Sequence, residues 1–438
     1  MIDYLFNQNL LIATAAAAAL LSLLYFQLLS KDVSTGSRTK YIFIVAGSIL
    51  ILCIEISIAR HFFTLDNIPT AGYGICLLLN LLLLSFMLCR RMGKKTIVIG
   101  LAAIISAGLL LFSTVNIFYR YYPTIASIFG MNQITYARNA RLTITNGTKP
   151  QENTTIEKQL NPEPTLRGTI SNVSIPGSRS HFLARDAIVY RPAAYNTSSN
   201  KVRFPVLILL TGVPGSPVDW LRGEHFQQTM DDFAGRHDGV TPVVIIADHN
   251  SNFANDTECV DSSRGNVETY LTVDVPLYVA SHFTVSSSAG NWAIGGLSEG
   301  GMCAAMLSLR HQSVYRHFLD MSGDPYPSLS PASQTLPILF NGSRQLQREH
   351  SIDWLLMNKP IAIDMTGQFL IGGNDNPALI TKMRTTYSLA VKKGVSASFS
   401  IIPSESHNAQ AWERGFREAL PKLSAILGAT NCESDCTK

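Results

Sequence analysis

Charged residues are scarce in this chain: Asp, Glu, Lys and Arg make up 15% of 438 residues, while apolar types make up 46%. An ordinary soluble protein of this length does not show that balance. The scarcity is localised. Tyr4 to Ser30, Asn67 to Cys89 and Thr96 to Tyr119 hold no charged side chain, and Tyr41 to Ala59 holds only Glu55. About 20 apolar residues of helix cross the ~30 Å hydrocarbon core with every backbone group satisfied internally. Residues 1–119 are therefore expected to form four transmembrane helices. No basic region precedes the first segment and three more spans follow it, so a cleaved signal peptide is a poor reading despite the small-residue run Ala15 to Ala19. Glu55 has no second intramembrane charge to work with and lies near Arg60 at the outer end of its span. An interfacial role fits it, and a transporter reading lacks the charged or broken helices it needs.

Basic residues are missing from the second loop, which offers only Arg60, whereas the first holds Lys31, Arg38 and Lys40 and the third holds Arg90, Arg91, Lys94 and Lys95. The positive-inside rule makes loops one and three cytoplasmic. An even number of spans then leaves the N-terminus and everything after Tyr119 extracytoplasmic, in a multi-pass protein of the cell membrane. These anchoring residues supply most of the net charge of +4, so that charge does not point to nucleic acid. No His lies at ligand spacing from Cys259, Cys303, Cys432 or Cys436, which argues against zinc, and no cofactor is expected. In an oxidising exterior Cys432 with Cys436, or Cys259 with Cys303, are candidate disulfides. Cys53, Cys76 and Cys89 fall in the spans.

Residues 120–166 read as a juxtamembrane segment and linker. Pro123 to Tyr136 suits a short helix on the outer membrane surface or against the bundle, and Thr143 to Pro164 is a polar tether. It contains the Asn-x-Ser/Thr matches at Asn146 and Asn153. From 167 to 438 the pattern alternates. Strands are expected at Gly168 to Ile175, Asp186 to Tyr190, Val206 to Leu210, Val243 to Ile246, Trp292 to Gly295, His317 to Met321, Phe369 to Ile371 and Ala397 to Ile402. Helices are expected at Trp220 to Ala234, Val267 to His282, Glu299 to His311, Ala378 to Lys393 and Ala409 to Leu427. Short apolar runs between amphipathic segments predict a mostly parallel sheet with helices on both faces, an α/β domain.

The sharpest local signal is Gly296-Leu297-Ser298-Glu299-Gly300, between an apolar strand and a helix. A serine in such a strained strand-to-helix turn is a candidate nucleophile. The turn aims the Glu299 amide, at the positive end of the following helix, toward a developing oxyanion. Val206 to Leu210 runs into Thr211-Gly212-Val213-Pro214-Gly215-Ser216, and Val213 is the second candidate oxyanion donor. The general base belongs after the last strand, where His407 lies; His311, His317 and His350 are weaker candidates by position. The acid belongs after the penultimate strand, where Asp375 sits 32 residues before His407. Asp364 and Asp324 are the alternatives.

Val206 to Trp220, Val267 to Asp324 and Gln368 to Trp412 together resemble the esterase branch of the α/β-hydrolases, which includes esterase D and the mycobacterial mycolyltransferases of the fibronectin-binding antigen complex. The matching stretches are Leu-Leu-Thr-Gly before Asp219-Trp220, Glu268-Thr269-Tyr270-Leu271, Gly-Leu-Ser-Glu-Gly-Gly, and Ser-His-Asn followed by Trp412. The resemblance covers about 270 residues, a sufficient length for one such domain with its own core; the spans lie outside it and resemble the membrane-anchored actinobacterial members. It implies an acyl-enzyme on Ser298 served by His407 and an acidic partner. The mycolyltransferases use a Glu where this chain offers Asp375, and Pro214 replaces the basic residue of their oxyanion loop. The expected function is a serine esterase or acyltransferase acting on lipid or envelope esters, with water, a sugar or a lipid hydroxyl as acceptor. A catalytically silent hydrolase-fold scaffold on a membrane anchor is the alternative.

Overall fold

The computed structural model describes residues 8–32, 47–51, 70–88, 93–119, 167–197, 202–222, 225–252 and 255–429. Most of the predicted span Tyr41 to Ala59, with Glu55, lies outside them, as do the linker 120–166 and the Cys432 with Cys436 pairing. The N-terminal region contains helices α1 (Gln8–Asp32), α2 (Thr70–Leu88) and α3 (Lys94–Tyr119). Tyr25, Leu29, Leu82, Ala103 and Ala107 pack together, while Leu23, Val98 and Ile105 face outward. Within α3, Lys94–Thr114 is long and apolar enough to cross a bilayer; the stretches Ala15–Gln27 and Gly74–Leu84 are shorter. Among the described residues the expectation of four spans thus reduces to one candidate.

The C-terminal region is built on an eight-stranded sheet: β1 (Thr169–Val173), β2 (Ala187–Arg191), β3 (Val206–Leu210), β4 (Val243–Ile246), β5 (Trp292–Leu297), β6 (His317–Met321), β7 (Thr366–Gly372) and β8 (Ser396–Ile402). The spatial order is β1-β2-β4-β3-β5-β6-β7-β8. β2 runs antiparallel to β1 and β4, and the pairs from β4 through β8 are parallel. The expected mostly parallel sheet is therefore present, with an antiparallel edge that alternation alone did not reveal.

Every residue of β3 and β4 is buried because both faces of the sheet are covered, and the period of two divides them between two cores. Val206, Ile208 and Leu210 join one core; Leu207 and Leu209 join the other. Five helices cover these faces: α4 (Phe226–Gly235), α5 (Val275–His282), α6 (Glu299–Arg310), α7 (Pro377–Lys392) and α8 (Ala409–Ile426). α4 and α8 bury Phe226, Met230, Phe416 and Leu420 on one side; α5, α6 and α7 bury Val279, Met306 and Met383 on the other. Trp220 wedges between Phe226 and Phe416 in edge-on contacts at 6.1 and 5.3 Å.

The helix expected over Trp220 to Ala234 is instead two, Asp219–Arg222 and α4, because His225 takes a left-handed conformation with φ 44°. The helix expected over Val267 to His282 contains a π-helical turn at Tyr270–Asp274. The polar stretch around His350, read as irregular, carries helices Arg344–Glu349 and Ile352–Asn358. Glu268 organises it: Oε1 accepts from Arg310 Nε at 2.7 Å and His311 Nε2 at 2.6 Å, and Oε2 from His350 Nε2 at 2.9 Å. Burial works to raise the Glu268 pKa. Hydrogen bonds from His311 and His350, with the Arg310 charge, outweigh it and hold the carboxyl well below the usual range.

Cys259 and Cys303 form a disulfide with a Cα to Cα distance of 5.7 Å, closing a loop of 44 residues. It joins the excursion after β4 to α6. Chain-entropy arguments assign such a loop about 4 kcal/mol, and measured values often fall below the full figure. Cys259→Ala with Cys303→Ala is expected to lower the unfolding free energy by about 2–4 kcal/mol, seen as a lower urea midpoint. A reductant should shift the parent protein alike and leave the variant unmoved; equal midpoints for both proteins would contradict this.

Candidate active site

β5 ends at Leu297 and α6 begins at Glu299, so Ser298 alone makes the turn, at φ 54° and ψ −122°. A non-glycine residue held there costs on the order of 1–3 kcal/mol, which its surroundings must offset. The Ser298 amide donates to Met321 O at 2.7 Å, and its carbonyl accepts from Gly301 N–H at 2.9 Å. The flanking glycines are steric requirements. A β-carbon on Gly296 would lie 2.4 Å from the Gly300 backbone, and one on Gly300 would lie 2.2 Å from Thr211 O.

Asp375 and His407 occupy the loops after β7 and β8, the carboxyl ends of the parallel strands. Each stands next to a helix cap. Asn376 Oδ1 accepts from Ala378 N–H at 2.9 Å and Asn408 Oδ1 accepts from Ala411 N–H at 3.0 Å, starting α7 and α8 on time. The two loops are laced together, Gly373 N–H to Ile402 O at 2.9 Å and Asn374 N–H to Glu405 O at 2.7 Å. This brings the three predicted side chains into line: Ser298 Oγ lies 2.9 Å from His407 Nε2, and His407 Nδ1 lies 2.9 Å from Asp375 Oδ2. With the proton on Nδ1, the imidazole donates to the carboxylate and accepts from the serine hydroxyl. The Asp375 side chain is 1% exposed, that of His407 25%. Asp375 Oδ1 also accepts from Asn376 N–H at 2.7 Å. Trp412 stands edge-on to the imidazole at 5.2 Å and fixes its plane.

The loop after β3 lies against Ser298. A β-carbon on Gly212 would come within 3.0 Å of Ser298 Cβ, and Val213 lines one cavity with Ser298, Glu299 and His407. Sequence reasoning missed its brace, Arg185, whose Nη2 donates to Gly215 O at 2.8 Å and to Asp248 Oδ1 at 2.6 Å. The weaker candidates lie elsewhere. His311 and His350 hold Glu268, and His317 is buried between Thr366 Oγ1 and Gly290 O. Asp364 pairs with Arg316 at 2.5 Å, at the opposite edge of the sheet. Asp324 is on the cavity wall but binds Lys382 at 3.0 Å.

The cavity holds about 330 Å³ and its wall is acidic, with Asp256, Glu258, Glu299 and Asp324 facing Lys382. Glu299 is well partnered: Oε2 meets His249 Nε2 at 3.1 Å and accepts from Asn250 Nδ2 at 2.7 Å, and Oε1 accepts from Glu258 N–H at 3.0 Å. Sequence reasoning left Asp256 and Glu258 unassigned; the signal was Cys259, whose pairing with Cys303 presses this stretch onto α6. Burial, then the Glu299 charge, pushes Asp256 up to about 7. Burial, then the Asp256 and Glu299 charges, raises Glu258 well above its ordinary value. Asp320, buried beneath Gly323, is also pushed up to about 7.

These shifts fix a sign. The folded chain keeps protons on Asp256, Glu258 and Asp320 that the unfolded chain releases near pH 4, so their contribution to stability declines as pH rises from about 4 to about 7. His317, held below its ordinary pKa by burial, opposes them near pH 6. Thermal unfolding of the full chain is expected about 2–8 °C higher at pH 5.5 than at pH 8, and Asp256→Asn should narrow the gap. A gap of opposite sign would contradict this.

The Putative esterase family model matches residues 183–423. An uncharacterised protein of Corynebacterium glutamicum is 35% identical over 255 residues, 56% of this chain and 59% of that one. The chain thus matches less than two thirds of that relative's length. A solved ferulic acid esterase superposes with a TM-score of 0.51 at 18% identity, covering 60% of this chain and 100% of its own. An S-formylglutathione hydrolase from Agrobacterium tumefaciens gives 0.50 at 14% identity, covering 61% of this chain and 99% of its own. At such identity these likenesses speak for the α/β-hydrolase fold alone. The family match spans more than half of the chain, and the chain therefore belongs to the Putative esterase family of carboxylic ester hydrolases, built on the α/β-hydrolase fold.

Proposed function

We propose that the chain is a membrane-anchored, extracytoplasmic serine esterase in which Ser298, His407 and Asp375 form the catalytic triad. The observation carrying this reading is the unbroken relay from Ser298 Oγ through His407 to Asp375, both links 2.9 Å. His407 Nε2 takes the Ser298 proton as Oγ attacks the ester carbonyl. The amides of Val213 and Glu299 receive the oxyanion, and the positive end of α6 favours it. The protonated Nε2 then delivers that proton to the departing alkoxide, leaving an acyl-enzyme. Water, activated by the same nitrogen, releases the acid and restores Ser298; a sugar or lipid hydroxyl in its place gives transfer. Asp375 holds the tautomer and stabilises the imidazolium.

The anchor rests on the charge-free segments of the first 119 residues and the outward leucines, valines and isoleucines of α1 and α3. The orientation rests on the basic residues of loops one and three, and the Cys259 to Cys303 bridge suits an oxidising compartment. A domain held beside the bilayer meets lipid and envelope esters without a search in three dimensions, which favours them as substrates. Under this reading the chain divides into a membrane-anchoring region over 1–119, a linker over 120–166 and the esterase domain over 167–438.

A fluorophosphonate probe is expected to label the parent protein, and Ser298→Ala to abolish labelling and hydrolysis. Asp375→Asn should lower kcat by about 10⁴-fold, the loss a serine triad suffers when its imidazole is held in the wrong tautomer. Labelling that persists in Ser298→Ala would overturn the assignment. A C-terminal alkaline phosphatase fusion should be active, and an inactive one would overturn the orientation.

A further inference from the structure

Five acidic side chains line the cavity that holds Ser298, and three have a basic partner of their own. Asp375 has His407, Glu299 has His249 and Asp324 has Lys382. Asp256 and Glu258 have chiefly each other. They share a hydrogen bond, and Glu258 also accepts from the Ser328 amide. Arg264 is the nearest cation to Asp256, but its Nη1 donates to the Asp256 backbone carbonyl, at 2.7 Å. Asp256 Oδ1 is buried with no hydrogen-bond partner. A second group on the same wall is in the same condition: Ser322, 2% exposed, whose Oγ is buried and unpartnered. Orphaned buried polar atoms cost on the order of 1–3 kcal/mol each, so their persistence beside a nucleophile calls for a function.

We propose that Asp256 and Glu258, with the Ser322 hydroxyl, recognise a primary ammonium group, and that the esters cleaved at Ser298 carry such a group on the part seated in this cavity. The inference rests on the triad reading above and names the substrate class for it. An ammonium offers three donors and a positive charge. The wall offers two carboxyls and a hydroxyl as acceptors. A neutral polyol supplies donors but leaves the proton on the pair, whereas a cation beside it favours the ionised carboxylates, so the wall discriminates for the cation. Lys382 does not fill this role, because Asp324 and the Tyr326 ring, 5.3 Å away, hold it.

The test compares esters of matched shape, with kcat/KM divided by the rate of hydroxide-catalysed hydrolysis. Ethyl alaninate against ethyl isobutyrate places the charge on the acyl side; trans-4-aminocyclohexyl acetate against trans-4-methylcyclohexyl acetate places it on the alcohol side. The charged member of one pair is expected to be preferred at least tenfold, and Asp256→Asn with Glu258→Gln to cut that preference at least fivefold. Ratios near one in both pairs, or a preference unmoved in the variant, would overturn the proposal. If the double variant fails to fold, the Glu258→Gln variant and the parent ratios decide. Fluorophosphonate labelling on the same preparations separates two failures. Labelled Ser298 with flat ratios removes the ammonium site alone, whereas absent labelling removes the triad reading.

Discussion

Where the β5 to α6 turn passes the end of β3 there is no space for a β-carbon on Gly300, whose backbone faces Thr211 O. That contact sets the depth of the whole site. It seats Ser298 in its strained turn and brings Gly212 against it, with Val213 and Glu299 lining the same cavity. The strain at φ 54° is sustained because the neighbouring strand supplies a carbonyl, Met321 O, for the Ser298 amide. The central sheet is thus a jig for one backbone conformation, and the loops after β7 and β8 are laced to bring an imidazole and a carboxylate to it.

Buried carboxyls in this fold show how partner supply, not burial alone, decides protonation. Glu268 and Glu258 are both buried acids. Glu268 meets one arginine and two histidines, which hold its carboxyl well below the usual range; burial and the charge of a neighbouring acid raise Glu258 well above it. The first ties α6 to the region around His350 as a structural clamp. The second stands on the cavity wall, where the missing partner can come from outside.

Much of this was legible in the sequence because the relevant signals are local. The apolar runs of β3 to β6 mark strands buried on both faces, and the glycines around Ser298 mark the sharp turn. Asn376 and Asn408, each next to a predicted site residue, mark helix starts. Less was legible where tertiary contacts decide. The break at His225, the π turn beside Glu268 and the antiparallel edge at β2 have no periodic signature. The Cys259 to Cys303 pairing stood as one of two options, since no spacing rule selects partners 44 residues apart. Asp256 and Glu258 lie in a stretch without regular elements, held at the site by that crosslink and by the Glu258 N–H bond to Glu299. In the N-terminal region composition predicted four spans, while among the described residues one helix is both long and apolar enough to cross a bilayer.

The same crosslink makes the two sides of the cavity mechanically unequal. Cys303 lies one turn into the helix that begins beside the nucleophile, and Cys259 follows Glu258 directly. The acidic wall and the nucleophile are thereby fastened into a single rigid jaw. The segment from Tyr326 to Ser330 and the start of α7 complete the lining and, among the described residues, have no covalent tether to that jaw; the Ser328 amide meets it through a hydrogen bond to Glu258. A bulky substrate would gain entry by displacing this side, and differences in reach among related chains would be written in its length and side chains.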